Sequence, residues 1–280
     1  MKRRLALLSG VALCLLTLVP LTQIRRAQPP AERLGYIPSP EVTYITSMDH
    51  QLLVSQLLFY STIFYYGAMI ERPDLRPDFR SIYAYLDTST RLNPYNIDSY
   101  YFAQAVLTWD GGMVKEVNEL LERGAKKRQV DFYLPLFLGF NHSYFLNNYE
   151  KAAQYYAQAA QINPQDTYLA TLSARLLYQA DKTHQAIAYL ESIYRGTSNE
   201  SVRKTIRVRI DALQRISLLE RAVAMFRERT GHDPETIDDL VSGGILKGIP
   251  PDPYGGKFFF DKGDRRIKTT SKLAFGGRAK

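Results

Sequence analysis

Cysteine and tryptophan are almost missing from this 280-residue chain, which has one of each. The single cysteine, Cys14, lies inside an apolar N-terminal run, so neither a disulfide framework nor a cysteine metal site can be built. Histidine is scarce too. His50, His142, His184 and His232 are not spaced as ligand pairs, and metal sites need convergent ligands. The chain contains no phosphate-cradling glycine loop, no nucleophile elbow and no H-E-x-x-H helix. Catalysis therefore has no support in the residue pattern, and neither a cofactor nor a small-molecule substrate is expected.

A basic stripe is also lacking, despite a formal net charge of +8. Lys2, Arg3, Arg4, Arg25 and Arg26 flank the first apolar run, and residues 256–280 carry eight basic residues against Asp261 and Asp264. These two clusters exceed the total, which leaves the chain between them net negative. The electrostatic footprint of a nucleic-acid surface is thus absent where the folded mass lies, and no nucleic-acid partner is expected. The basic tail reads as a solvated charge run.

What is present is enough apolar surface to fold, with 45% hydrophobic and 12% aromatic residues. Leu5 to Ile24 is a 20-residue apolar stretch preceded by three basic residues. At about 1.5 Å per residue it reaches about 30 Å, the thickness of a hydrocarbon core. No A-x-A-like cleavage site follows it, and bulky Leu13 before Cys14 argues against acylation. Residues 1–26 therefore read as an uncleaved transmembrane signal anchor, with a cleaved signal and a soluble periplasmic chain as the alternative. Arg25, Arg26 and Arg33 weaken the positive-inside bias, which still favours a cytoplasmic N-terminus and an exported body in the periplasm. Pro29, Pro30, Pro38 and Pro40 make residues 27–47 an extended linker.

Helical spacing then dominates. Met48 to Ile70 carries apolar residues at Leu53, Leu57, Tyr60, Phe64 and Ala68, with Asp49 as a plausible N-cap. It is apolar on more than one face and is expected to be covered on both sides. A second membrane span is the rival reading, opposed by Asp49, His50, Glu71 and the glutamines. Further helices are expected at 79–92, 96–109, 114–123, 132–146, 148–164, 167–179 and 184–194, separated by Asn-Pro, Gly-Gly, Asn-Asn and Asp-Lys turns.

The stretch Asn148-Tyr-Glu-Lys-Ala152 through Tyr156 and Ala159 to Pro164 recurs 34 positions later, where Ala186, Leu190 and Ile193 stand in for Ala152, Tyr156 and Ala159. With Gly139 and Ala174 at the small positions of the preceding helices, this resembles tetratricopeptide (TPR) repeats. Ala105, Val117, Leu121 and Gly124 make a looser unit, and Ile82, Leu86, Ser89 and Pro94 half of another. The resemblance implies an all-α, TPR-like helical-hairpin solenoid over residues 48–198, behind the transmembrane helix. A concave groove lined by the first helix of each unit follows. By register, Phe102, Asn141, Tyr144, Tyr168, Arg175 and Tyr178 are the candidates for a partner-binding face, since tyrosine offers apolar area with a polar tip. The competing reading packs any of them between repeats.

Residues 199–230 read as a long capping helix stopped by Gly231. In residues 231–280, Asp233 as N-cap, Pro234 at the first position and Gly243 past the end predict a short helix. A small β-hairpin is expected around Lys262-Gly263-Asp264. Gly231, Pro234, Leu240, Gly244, Pro251, Asp252, Pro253, Gly255 and Phe259 make this cap similar to the C-terminal part of type II secretion major pseudopilins. The apolar run lacks the early glutamate of that family, so a pilin subunit is not expected. Asp252, Asp261 and Asp264 have the oxygen donors that Ca²⁺ takes, and turn formation is the competing role.

The expectation is a membrane-anchored, non-enzymatic scaffold binding protein partners of a bacterial envelope assembly, in secretion, pilus biogenesis or export. An accessory subunit of an envelope enzyme complex and a tether to cell wall or outer membrane are the alternatives.

Overall fold

The computed structural model describes Leu16 and residues 34–271, and the rest of the anchor 1–26, the linker up to residue 33 and the basic tail beyond Ser271 lie outside the described residues. The described residues are mostly helical with one two-stranded sheet, and the chain divides into two compact units between Gly112 and Met113.

In the first unit, α1 (Pro40–Thr46) starts where proline belongs, in the first turn, with the Ser39 hydroxyl accepting from the Val42 amide. The Pro-rich stretch expected to be extended to residue 47 is therefore helical over residues 40–46. Pro40 has no N–H for the helix to miss. Helix α2 (Gln51–Ile70) follows, starting after His50 and not capped by Asp49. Asp78 caps α3 (Phe79–Leu92) through the Ser81 amide, and Asn93-Pro94 ends it. Helix α4 (Ile97–Phe102) runs into a π-helical turn, Ala103–Leu107, where a single straight helix to Trp109 was expected. The wider turn closes with the Gly111 amide on the Val106 carbonyl, 3.2 Å away. The apolar residues alone give no warning of it.

Helix α3 is the hub of this unit, packing on α1, α2 and α4. Ile82, Leu86, Met69, Tyr100 and Leu107 fill its interior, but so do hydroxyls. Ser55 of α2 donates to the Ser89 carbonyl at 3.0 Å, and Ser89 returns a bond to the Ser55 carbonyl at 2.9 Å. Ser99 and Asn96 close the cluster on the Ser89 hydroxyl. Serine is small enough to let the two axes approach and satisfies its own hydroxyl on the facing backbone.

The second unit runs α5 (Val114–Lys127), α6 (Tyr133–Tyr144), α7 (Tyr149–Ile162), α8 (Thr167–Gln179), α9 (Thr183–Gly196) and α10 (Glu200–Thr230), each packed on the next. Connections of a few residues force neighbouring helices antiparallel. The turns use the chemistry expected of them. Asn148, Asp166 and Asn199 accept from amides of the first turns of α7, α8 and α10, and Asn147 and Asp181 take the left-handed conformation. At the crossings, Ala152, Ala159, Ala174 and Ala186 are fully buried. Gly139 lies under the Tyr156 ring so closely that a Cβ there would meet it at 2.9 Å.

The last segment differs from expectation at its start. Helix α11 is a single turn, Asp239–Ser242, and does not begin at Pro234. Asp233 is not free to cap it, because its carboxylate pairs with Arg227 and Arg265. Strands β1 (Phe258–Asp261) and β2 (Arg266–Thr269) form the hairpin, pairing Phe258 with Thr269 and Phe260 with Ile267. Phe258, Phe260 and Ile267 point one way and join Leu240, Ile237, Phe226 and the alanines of α7 to α9 in one continuous core. The cap is thus an integral wall of the second unit.

Candidate protein-binding surface

The six residues singled out for a groove separate into distinct environments. Tyr168 and Arg175 sit one above the other on α8, seven residues apart, and both are exposed, Tyr168 at 65%. Its placement is fixed by Asp166, whose carboxylate holds the Tyr168 amide at 3.0 Å. Tyr144, at the end of α6, is stacked on Phe140 with centroids 5.2 Å apart and meets Phe145 edge-on. Phe102 belongs to the first unit, half-buried edge-on to Phe59 and Tyr66.

Asn141 and Tyr178 do not line a surface. Asn141 is fully buried, and its amide donates to the Asn118 carbonyl oxygen at 2.8 Å, tying α6 to α5. Tyr178 is buried, and its hydroxyl donates to the Ile267 carbonyl at 2.6 Å. Arg266 lies over the same ring and donates to the carbonyls of Tyr178 and Gln179. It thereby caps the end of α8, where the Tyr178 carbonyl also accepts from the Asp181 amide. Burial raises the Tyr178 hydroxyl to about 12, so it stays a donor over the whole physiological range. A polar tip on a helix is equally suited to a groove and to a buried contact, and the second use was taken by α5 for Asn141 and by the hairpin for Tyr178.

Three rings that helical register did not select, Tyr133, Phe137 and Phe140, run along α6 with Tyr144. Tyr133, Phe137, Phe140 and Tyr144 follow one another at i, i+4, i+7 and i+11, with ring contacts from Tyr133 to Phe137 and from Phe140 to Tyr144. That spacing was legible in the sequence as a single helical stripe.

His142, on the opposite side of α6, is 6% exposed, stacked on Tyr155 at 5.4 Å, with neither ring nitrogen hydrogen-bonded. Burial lowers its pKa, helped by Lys151 and opposed by Glu122. The Tyr155 hydroxyl donates to Glu122 at 2.6 Å. The imidazole touches this pair through its face only, so the three groups are not wired as a proton relay.

The acidic turn residues are also spoken for. Asp261 and Asp264 both pair with Lys268, while Asp252 accepts from the Thr269 and Ser271 hydroxyls and from the Tyr254 amide. Among the described residues no three His, Cys, Asp or Glu converge on a point that could hold a metal ion.

No protein-family model, curated protein or solved structure matches this chain. Its surface chemistry therefore has to speak for itself. On α8 the combination is an exposed tyrosine and an exposed cation on one stripe of a rigidly capped helix. Tyrosine and arginine are the side chains that dominate protein interfaces, because they bury large areas at modest entropic cost while keeping a polar end.

Proposed function

We propose that this protein is a membrane-anchored scaffold of the TPR type, whose exported body binds protein partners in a bacterial envelope assembly such as a secretion, pilus-biogenesis or export machine. The observation that carries the reading is the succession α6 to α9, with glycine or alanine at every crossing and the exposed Tyr168–Arg175 stripe on α8. Stacked hairpins of this kind present helix faces in a row, which suits them to hold an extended peptide or a partner helix. The apolar run Leu5 to Ile24 supports the anchor, and the pseudopilin-like pattern of residues 231–259 supports the envelope context.

Two experiments test it. Affinity purification of the full chain from solubilised membranes is expected to recover envelope proteins, and the double variant Tyr168→Ala, Arg175→Glu is expected to lose them while keeping its melting temperature. Recovery unaffected by the double variant would move the binding face away from α8, and recovery of this chain alone would reject the scaffold reading. A C-terminal alkaline phosphatase fusion is expected to be active. An inactive fusion beside a working cytoplasmic reporter would reject export.

A further inference from the structure

Helix α2 is built inside out. Its 20 residues, Gln51–Ile70, contain no charge, and among the described residues it alone is long and apolar enough to cross a membrane. The side turned to α3 carries Ser55, Phe59, Thr62, Tyr65 and Met69, so three of its five buried side chains carry hydroxyls. The side turned away carries Leu53, Leu57, Tyr60 and Phe64, at i, i+4, i+7 and i+11, all exposed, Phe64 at 73%. A helix that faces water has the opposite distribution, with its charges outward and its leucines inward. Leu52 widens the stripe, and Ile45 and Met48 immediately before α2 are exposed as well. Singly exposed apolar residues are ordinary, but an unbroken, uncharged stripe three turns long marks a covered face.

We propose that this stripe rests on the lipid bilayer, so that the first unit lies flat on the membrane entered by the chain's own apolar run. The inference rests on the anchor reading given above. Only residues 25–39 separate Ile24 from the start of α1, and 15 residues span at most about 50 Å even when fully extended. A face tethered that close meets the bilayer at a high effective concentration, which favours it over any partner that must arrive by diffusion. Its chemistry fits the interface. Leucine and phenylalanine enter the acyl boundary, and Tyr60 can keep its hydroxyl among the headgroups. The opposite side of α2 is packed on α3, which carries Arg80, Asp87 and Arg91. Charges of that kind are costly at bilayer depth, so the helix lies along the surface and does not cross it.

The test places nitroxide labels, one at a time, at positions 53, 57, 60 and 64 of the full chain in a Cys14→Ser background. Arg80→Cys on α3 is the control, and the protein is reconstituted into vesicles of phosphatidylethanolamine and phosphatidylglycerol. Expected is relaxation of the four stripe labels by lipid-dissolved oxygen and not by an aqueous nickel chelate, at one common depth, with the reverse at position 80. Replacing Leu53 and Leu57 by glutamate should shift the label at 64 back towards the aqueous reagent. Several results overturn the inference. If the chain stays with the vesicles through a carbonate wash but the stripe labels see the nickel chelate, the anchor stands and the docking fails. If the labels broaden one another, a second copy covers the face. If depth rises to a maximum in mid-helix, α2 spans the bilayer. If the carbonate wash releases the chain, the anchor reading fails, and this inference fails with it.

Discussion

The two units use the same device, short antiparallel helices joined by capped turns, and distribute polarity in opposite ways. In the second unit the crossings are alanine and glycine, the core around them is apolar apart from groups such as His142 and the Asn141–Asn118 pair, and Lys151, Arg175 and Arg207 point outward. In the first unit the central crossing is a ring of serines and an asparagine, and the leucines of its longest helix point outward. Close helix approach needs small residues in both. Alanine achieves it where water is the outer solvent and the core must supply the stability. Serine achieves it through hydrogen bonds to the facing helix.

This contrast can be broken most severely by truncating the second unit's core. Leu190→Ala is expected to cost about 2–5 kcal/mol in chemical denaturation, because the side chain is fully buried between α9 and its neighbours. Ala152→Leu comes next, at about 1–3 kcal/mol, by forcing α7 away from the helices it crosses. An unchanged melting temperature for Ala152→Leu would mean that the crossing is looser than its complete burial shows.

In the first unit, Ser89→Val is expected to cost about 1–3 kcal/mol. It removes the hydroxyl that Ser55, Asn96 and Ser99 share and leaves their polar atoms buried. Trp109, the only tryptophan of the chain, lies in this unit and reports its unfolding by fluorescence. A valine variant as stable as the parent would show that the serines act only through their size. Leu57→Ala should be the mildest change in buffer, within about 0.5 kcal/mol, since its side chain already faces outward. A loss comparable to that of Leu190→Ala would remove the distinction between the units.

His142 adds a pH dependence confined to the second unit. Its folded pKa lies below the ordinary histidine value, chiefly through burial, so the unfolded chain takes up the proton first. The stabilising neutral state is complete above about pH 6.5 and is lost as the pH falls from there towards the folded pKa. Melting temperature is expected to drop as the pH falls below about 6.5, and His142→Phe, which keeps a ring on Tyr155, should flatten that drop. An equal drop in both proteins would assign the effect to other groups.

Much of the helical skeleton could be read directly from the residues. Helix α8 starts and ends where Thr167 and Gln179 predict, because Asp166 and the Asp181-Lys182 turn are local signals that need no tertiary partner. The small crossing residues Gly139, Ala152, Ala174 and Ala186 were equally legible, since their spacing already states which face must come close. Reading failed where one residue had two possible uses. Asp233 could cap a helix or pair with arginines, and Arg227 and Arg265 arrive only once α10 and the hairpin have folded around it. Tyr178 could line a groove or close a core, and the partner that decides is Ile267, 89 residues away.

By itself, the sequence determined that this protein is helical, where its turns fall, which residues permit close approach, and that its first residues form an apolar run flanked by positive charge. Those properties follow from interactions over four or five residues, which the order of the chain specifies. Only the tertiary structure decided that the C-terminal hairpin is part of the core, that Asn141 and Tyr178 are interior, and which side of α2 faces outward. An apolar helix with hydroxyls on one stripe and leucines on another has two faces that can be buried. The choice between them is made by the partner, here the serines of α3 and α4, and not by the helix itself.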